Sequence, residues 1–355
     1  MSTITNKEEY IVPQLVSFGT FHNIFDIVQK KEIKVITQNW VRSFNVGLGW
    51  ISDFEKIVAQ YAKYFQLLKV LRGYNKEIKS VRFSLDGRKI VSSSDDKIVQ
   101  IWDVASGKEI QAIEGHSDKV FAAEFSPDGD SIVSCSEDKT IQLWNIKLER
   151  QVMEFVGHLD WVLDVNFSPD GKSIVSCSFD KTIQIWDINT GEVTQTLMGH
   201  SDAVLSAQFS HDSQMIVSSS YDRTICLWDV KTGKRLRQLK GHSGYIRHAK
   251  FSPGSQFIVS CSLDRTIRIW DVKQGKELKK LEGHKDEVND VKYFPDGQTI
   301  VSCSDDETIR LWDVKSGKEI QRLEGYFGAV IAVDVSADGN TLVSCSIDKT
   351  IRIWG

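Results

Sequence analysis

The chain has 355 residues, 41% hydrophobic and 26% charged, the balance of a soluble globular protein with one large domain or two ordinary ones. Lysine and arginine number 44 against 48 aspartates and glutamates, a net charge of −4. That balance excludes any global electrostatic pull toward nucleic acid or an anionic membrane, so a basic site would have to be local.

The first residues, MSTITNKEEYIVPQ, are polar and acidic where a secretory signal needs a basic start and an apolar run, and no stretch reaches the length of a membrane span. The expectation is a cytoplasmic protein, with the nucleus open to it, and a poorly structured segment over 1–29. In 30–64, Ile33, Ile36, Trp40, Val41 and Phe44 share one helical face, and Phe54, Ile57, Val58 and Tyr61, continued by Phe65, share another. NVGLG separates the two, and Ser52 with Glu55 reads as a capping box, so the spacing predicts a helical hairpin. Its apolar faces either pack on the rim of the C-terminal domain or serve an adaptor or self-association.

From residue 65 onward one period governs the chain. Trp102, Trp144, Trp186, Trp228, Trp270, Trp312 and Trp354 follow one another at 42 residues without an insertion. In register stand Gly-His pairs ending at His116, His158, His200, His242 and His284. The serines Ser92, Ser134, Ser176, Ser218, Ser260, Ser302 and Ser344 and the aspartates Asp96, Asp138, Asp180, Asp222, Asp264, Asp306 and Asp348 recur with them. Within a period the pattern is four short strands: VFAAEF, SIVSCS, TIQLWNI, and a last one such as KEIQAI before the next Gly-His. Four of the five prolines, Pro127, Pro169, Pro253 and Pro295, fall at the second position of the first turn, where a fixed φ helps and a missing N–H costs nothing. Five of the six cysteines centre a Ser-Cys-Ser in separate repeats, too far apart to bridge, which predicts buried thiols.

The last repeat stops at IRIWG, one strand short. QLLKVLRGY (66–74) aligns one period ahead of KEIQAIEGH (108–116), with Leu68 and Leu71 matching Ile110 and Ile113. Residues 65–72 are therefore expected to supply the outer strand of the last unit and close a ring.

The Gly-His pairs, the SxDxTIxIWD runs and the 42-residue period resemble the WD-repeat family over residues 65–355. The resemblance implies an all-β seven-bladed propeller, similar to the β subunit of heterotrimeric G proteins, with the helical hairpin as a small N-terminal extension. It also implies a structural role for the polar set His116/Ser134/Asp138/Trp144, His158/Ser176/Asp180/Trp186, His200/Ser218/Asp222/Trp228, His242/Ser260/Asp264/Trp270 and His284/Ser302/Asp306/Trp312. Catalysis needs one asymmetric constellation, whereas equal copies suit a satisfied buried network. Tyr74 and Tyr326 stand where histidine is expected, in the first and seventh repeats. The network there is predicted incomplete or water-rebuilt, and this closure seam the least stable part of the ring.

In this family partners are met three and five residues after the histidine and just before the turn aspartate, on the narrow face. Carried over, the contact positions become Glu77, Lys79 and Asp95 in blade one, Lys119, Phe121 and Glu137 in blade two, and Trp161, Leu163 and Phe179 in blade three. Blades four and five give Ala203, Leu205, Tyr221, Tyr245, Arg247 and Leu263. Blades six and seven give Glu287, Asn289, Asp305, Ala329, Ile331 and Ile347. Trp161, Leu163, Phe179, Leu205, Tyr221, Tyr245, Arg247 and Leu263, with Phe121 beside them, have the composition of a binding hot spot for a protein or peptide ligand. The neighbours Val162, Val165 and Phe167 are core positions, so Trp161 alternates out of phase with them and reads as a partner anchor.

The chain shows no HExxH, GxxxxGK[S/T], GxSxG, CxxC or HxxxH, which argues against an enzyme and against a metal or cofactor. Lys231, Lys234, Arg235, Arg237 and Lys240 cluster near the outer strand of blade four. They lack interleaved aromatics, so a charged strand edge fits better than an RNA or phosphate site. The expectation is a non-enzymatic scaffold; the alternative is a ubiquitin-ligase substrate receptor recruiting an adaptor through the hairpin.

Overall fold

The structure, a computed structural model, describes residues 64–355. The segment 1–29 and the hairpin expected over 30–64 lie outside the described residues, apart from Tyr64. Residues 65–355 form one unit.

Each period folds because short alternating runs are separated by two turns that chemistry fixes. At Ser126–Gly129 the Gly129 N–H returns to the Ser126 carbonyl, and Gly129 sits at φ 74°, a left-handed conformation that glycine adopts freely. At Ser136–Lys139 the Lys139 N–H returns to Ser136, and Lys139 itself takes φ 72°. A lysine there is strained, and Asp138 offsets the strain by accepting from Thr140 N and Oγ1 at 3.0 and 2.7 Å.

The first blade is β2 (Ile78–Phe83), β3 (Lys89–Ser94), β4 (Ile98–Asp103) and β5 (Glu109–Glu114), paired antiparallel in that order. Five more four-stranded blades begin with the inner strands β6 (Val120–Phe125), β10 (Val162–Phe167), β14 (Val204–Phe209), β18 (Ile246–Phe251) and β22 (Val288–Tyr293). The seventh runs from β26 (Val330–Val335) through β27 (Leu342–Ser346) to β28 (Thr350–Trp354) and is completed by β1 (Leu67–Arg72). Register places Leu71 opposite Ile351 and Arg72 opposite Thr350, and Gln66 and Gly355 exchange both backbone hydrogen bonds. Phe65 fixes the latch: its N–H and carbonyl bond the Gln321 side-chain amide at 3.0 and 2.8 Å, and its ring lies 5.8 Å from that of Phe294. β1 is thus the outer strand of the seventh blade, paired antiparallel with β28.

Inner strands adjoin in sequence around the ring, and β26 returns to β2. Their edges would expose unpaired N–H groups, and channel side chains of the preceding blade cover several of them. Phe167 N donates to Glu124 Oε2 at 2.7 Å, Phe251 N to Gln208 Oε1 at 3.3 Å, and Phe83 N to Asp334 Oδ2 at 2.8 Å across the seam. Between blades lie apolar layers. Trp186 of blade three packs with Phe155 and Leu143 of blade two and with Val162 and Val165 of its own blade, all buried. Each such aliphatic side chain contributes about 1.5–3 kcal/mol on burial.

Candidate partner-binding face

The repeated polar residues form the same relay in blades two to six. The indole N–H donates to the serine Oγ at 2.8–2.9 Å, and histidine Nε2 lies 2.7–2.9 Å from that oxygen. Nδ1 meets the turn aspartate at 2.8–3.0 Å. A consistent assignment has Nδ1–H donating to the carboxylate and the serine hydroxyl donating to Nε2, which satisfies the relay. At His200 burial opposes the charged form, but Asp222 and the neighbouring Cys226 outweigh it and raise the imidazole to about 9. Burial pushes the Asp138 carboxyl up, but hydrogen bonds from His116 and Thr140 outweigh it and hold the group well below the ordinary carboxylate value; Asp180, Asp222, Asp264 and Asp306 follow suit. The histidines and serines are buried and the arrangement repeats, so it fixes blade geometry. The glycine before each histidine belongs to it: a Cβ on Gly115 would lie 2.2 Å from Trp144 Cη2.

The two tyrosine blades differ from the expectation in an instructive way. Tyr74 Oη reaches Ser92 Oγ directly at 2.7 Å, and Tyr326 Oη likewise bonds Ser344, so the ring spans the gap without a bridging water. What is lost is the link to the aspartate. In blade seven Arg352 replaces it, stacking 3.8 Å over the Tyr326 ring while Nη2 lies 3.3 Å from Asp348. In blade one Asp96 is held by the backbone N–H groups of Asn75 and Lys76.

The channel waist is lined by a register position that the repeat leaves free: Arg82, Glu124, Asn166, Lys250 and Lys292 surround a 40 Å³ cavity with Asp164 above them. Lys250 Nζ meets Asp290 at 2.6 Å, Arg82 lies 3.4 Å from the same carboxylate, and Lys292 pairs with Asp334. Glu124 and Asp164 make no ion pair within 4 Å among the described residues, and burial outweighs the pull of Arg82 and the lysines and raises both, Glu124 to about 7. Sequence reasoning missed this ring. Its signal was present: one position in seven otherwise similar inner strands reads Arg, Glu, Asn, Gln, Lys, Lys, Asp. The opposite mouth, 630 Å³, is walled by Phe83, Phe125, Phe167, Phe209, Phe251 and Tyr293 with the turn prolines.

The mouth on the Trp161 side is a funnel of 520 Å³. It gathers Phe121, Trp161, Leu163, Phe179, Leu205, Tyr221 and Arg247 from the expected set, together with Lys79, Asn289, Asp305, Ala329, Ile331 and Ile347. Five rings run in one arc. Phe121 lies 6.1 Å from Trp161, Trp161 5.5 Å from Phe179, Phe179 5.9 Å from Tyr221, and Tyr221 4.5 Å from Tyr245. Trp161 is 38% exposed and Tyr245 40%, whereas Val162 and Val165 are buried; Val162 alternates with Trp161, and the register shift between Val162 and Asp164 turns Val165, four residues on, to the buried face. Three positions of blades four and five depart from the expectation. Ala203 is fully buried, although Ala329 at the equivalent place lines the funnel, and neither Leu263 nor Tyr245 is part of the funnel wall, Tyr245 joining the arc through Tyr221 alone. Phe327, 90% exposed beside the seam tyrosine, and Leu159, also exposed, were missed; each is the residue right after the Gly-His or Gly-Tyr.

Blade four's basic run lies on the exposed outer strand β17 (Arg235–Lys240). Arg235 donates to the Gly199 carbonyl at 3.1 Å and Arg237 to Lys273 O at 2.6 Å, so these cations bind neighbouring blade backbone. The six cysteines are free and buried. Asn166 of the Asn-Phe-Ser triplet is buried and donates to Asp164 and Ala207 O, which closes it to glycosylation.

Seven four-stranded blades, five of them carrying a Trp-Ser-His-Asp relay, define a WD-type propeller, a class that generally acts as a non-catalytic interaction scaffold. The chain belongs to the WD domain, G-beta repeat family, whose model matches residues 65–103, 107–145, 149–187, 191–229, 233–271, 275–313 and 317–355. Each match starts on the outer strand of one blade and ends on the third strand of the next, so the sequence unit is out of phase with the blade. A stretch of 59 residues is 45% identical to vegetative incompatibility protein HET-E-1 of Podospora anserina, covering 17% of this chain and 4% of that protein. Another of 60 residues is 37% identical to dynein assembly factor with WD repeat domains 1 of Xenopus laevis, covering 17% and 14%. The chain thus matches only a small part of either relative.

Proposed function

We propose that this protein is a non-enzymatic scaffold that captures a peptide or protein partner on the narrow propeller face, at the channel mouth flanked by blades two to five. The observation that carries the reading is the arc of five touching rings from Phe121 to Tyr245, half-exposed where a repeat selected only for folding has no use for them. Aromatic side chains lose little rotamer freedom on binding and bury large areas, the composition of interface anchors. Leu163, Leu205 and Ile331 give the arc an apolar floor.

The test is affinity capture from cell extract and peptide-array binding with wild type and Trp161→Ala side by side. The reading expects partners to be lost with the substitution while the chain stays folded. Partners retained in full by Trp161→Ala would refute it.

A further inference from the structure

Each inner strand runs from the Trp161 face to the opposite mouth, so residue order along it gives depth in the channel. The proposed face uses the first residues of these strands. The last ones line the 630 Å³ bowl on the other side, which that reading leaves unused. The bowl has an apolar lip, the turn prolines with the exposed Leu85 among them, above its wall of phenylalanines. Its floor is the charged waist: Lys250 and Lys292 line the bowl and not the funnel, Arg82 lines both, and Asp164 belongs to the funnel side.

The charges of this floor are sorted by depth. The side chains of Arg82 and Lys292 are 14% and 35% exposed, whereas their counter-charges Asp290 and Asp334 are at 0% and 3%. Burial lowers Lys250 from the ordinary lysine value and its Nζ goes to Asp290 at 2.6 Å, so the outward cations are Arg82 and Lys292. Arg82 Nη1 donates to Val81 O at 3.0 Å and lies 3.4 Å from Asp290; its Nε and Nη2 have no partner among the described residues and are not sealed from solvent. Lys292 gives one N–H to Asp334 and keeps two. Glu124 opposes them, but its Oε2 accepts from Phe167 N and burial lifts its carboxyl to about 7, so at neutral pH it cancels only part of the field. Whatever enters the bowl meets cations whose carboxylates lie behind them, an arrangement that draws in an anion.

An apolar wall over an electropositive floor suits an occupant with an apolar stretch and one anionic end. The bowl is open across its lip, so a free small molecule would leave much of its surface in water, whereas a chain end is held inside and continues outward. We infer that the bowl is a second binding site, for the C-terminus of a partner chain: apolar last side chains lie against the phenylalanines and prolines, and the free α-carboxylate meets Lys292 and Arg82. This site is independent of the Trp161 face.

The experiment uses the full chain and fluorescein-labelled peptides in which a Gly-Ser spacer is followed by three last residues drawn from leucine, phenylalanine and valine, each made as the free acid and as the amide. Fluorescence polarisation is expected to show the free acids binding about tenfold tighter than the amides, the worth of one charge-assisted hydrogen bond, with the advantage shrinking as salt rises. Lys292→Gln should erase that advantage and Glu124→Gln should enlarge it, each variant checked by its melting curve. Leu85→Ser, on the exposed lip, should weaken acids and amides alike, and Trp161→Ala should change neither. Free acids no tighter than amides, or no binding by either, overturn the inference and leave the Trp161 face standing. Binding lost with Trp161→Ala puts the peptides on the other face and overturns it too. Octanoate competing as well as the unlabelled free-acid peptide would give the bowl to small amphiphiles, which also refutes a chain end as its occupant.

Discussion

Two tryptophans of this chain should respond to the same truncation in opposite ways. Trp186 is 1% exposed, donates to Ser176 Oγ at 2.8 Å and packs edge-on to Phe155 at 5.6 Å. Trp186→Ala leaves a cavity between blades and takes the indole donor from Ser176 Oγ, which keeps only its bond to His158, a loss of about 3–5 kcal/mol. Trp161 packs on Phe121 and Phe179, is 38% exposed and opens to the funnel. Removing its indole forfeits about 100 Å² of covered apolar surface, about 2 kcal/mol, and water fills the space, so no cavity term is added. With about 2 °C of melting temperature per kcal/mol for a domain of this size, the drops become about 4 °C and about 6–10 °C. Calorimetry on both variants, with affinity capture and peptide-array binding measured on the same preparations, separates the roles. Trp161→Ala should melt about 4 °C below wild type and fail to bind; Trp186→Ala should melt about 6–10 °C below it and, below its transition, still bind. If Trp161→Ala costs as much stability as Trp186→Ala, the indole is a core residue and the reasoning fails.

Acid should weaken the ring through its relays. Asp138, Asp180, Asp222, Asp264 and Asp306 are held below their unfolded value of 3.8, so their contribution is present above about pH 4 and is lost as pH falls through and below it. A melting series from pH 7 to 2 should show this limb, and Asp180→Asn should flatten it. Glu124 has the opposite sign: burial lifts it from 4.5 to about 7, so between those values the folded state holds the proton more tightly and rising pH destabilises. Glu124→Gln should remove that slope, seen as a higher melting temperature than wild type at pH 8. Amide exchange should be fastest in β26–β28 and β1, where an arginine stack stands in for the aspartate relay, and faster still in Arg352→Gln; equal protection in all blades would contradict the seam assignment. Deleting residues 65–72 should abolish the cooperative transition, as measured by circular dichroism melting.

Much of the ring was legible because its determinants recur. A 42-residue indole spacing, prolines and glycines at fixed turn places, and an orphan strand one period ahead of the first repeat together demand blades and their closure, since no other arrangement pairs every strand. The binding face was legible in part. Trp161, Phe179 and Tyr221 stood out as departures from the repeat, yet Ala203, Tyr245 and Leu263 occupy equivalent places and do not line the funnel while Ala329 does, so register alone does not decide which side chain reaches the wall. The seam shows the same limit from the other side. Tyr74 and Tyr326 signalled a broken relay, but a phenol long enough to meet its serine could be recognised only with the rings in place.

What the sequence determined by itself is the periodic part: strand alternation, turn chemistry and the repeated polar set are local, and copying them seven times leaves one way to bury the faces. What only the tertiary structure decided is how non-repeating letters from different strands and blades meet. Glu124 covering Phe167 N–H, Arg352 stacking on Tyr326, and five rings joining into an arc depend on positions distant in the chain that the closed ring brings within a few ångströms. Their charges and contacts are set by that shared burial, a property no single repeat possesses.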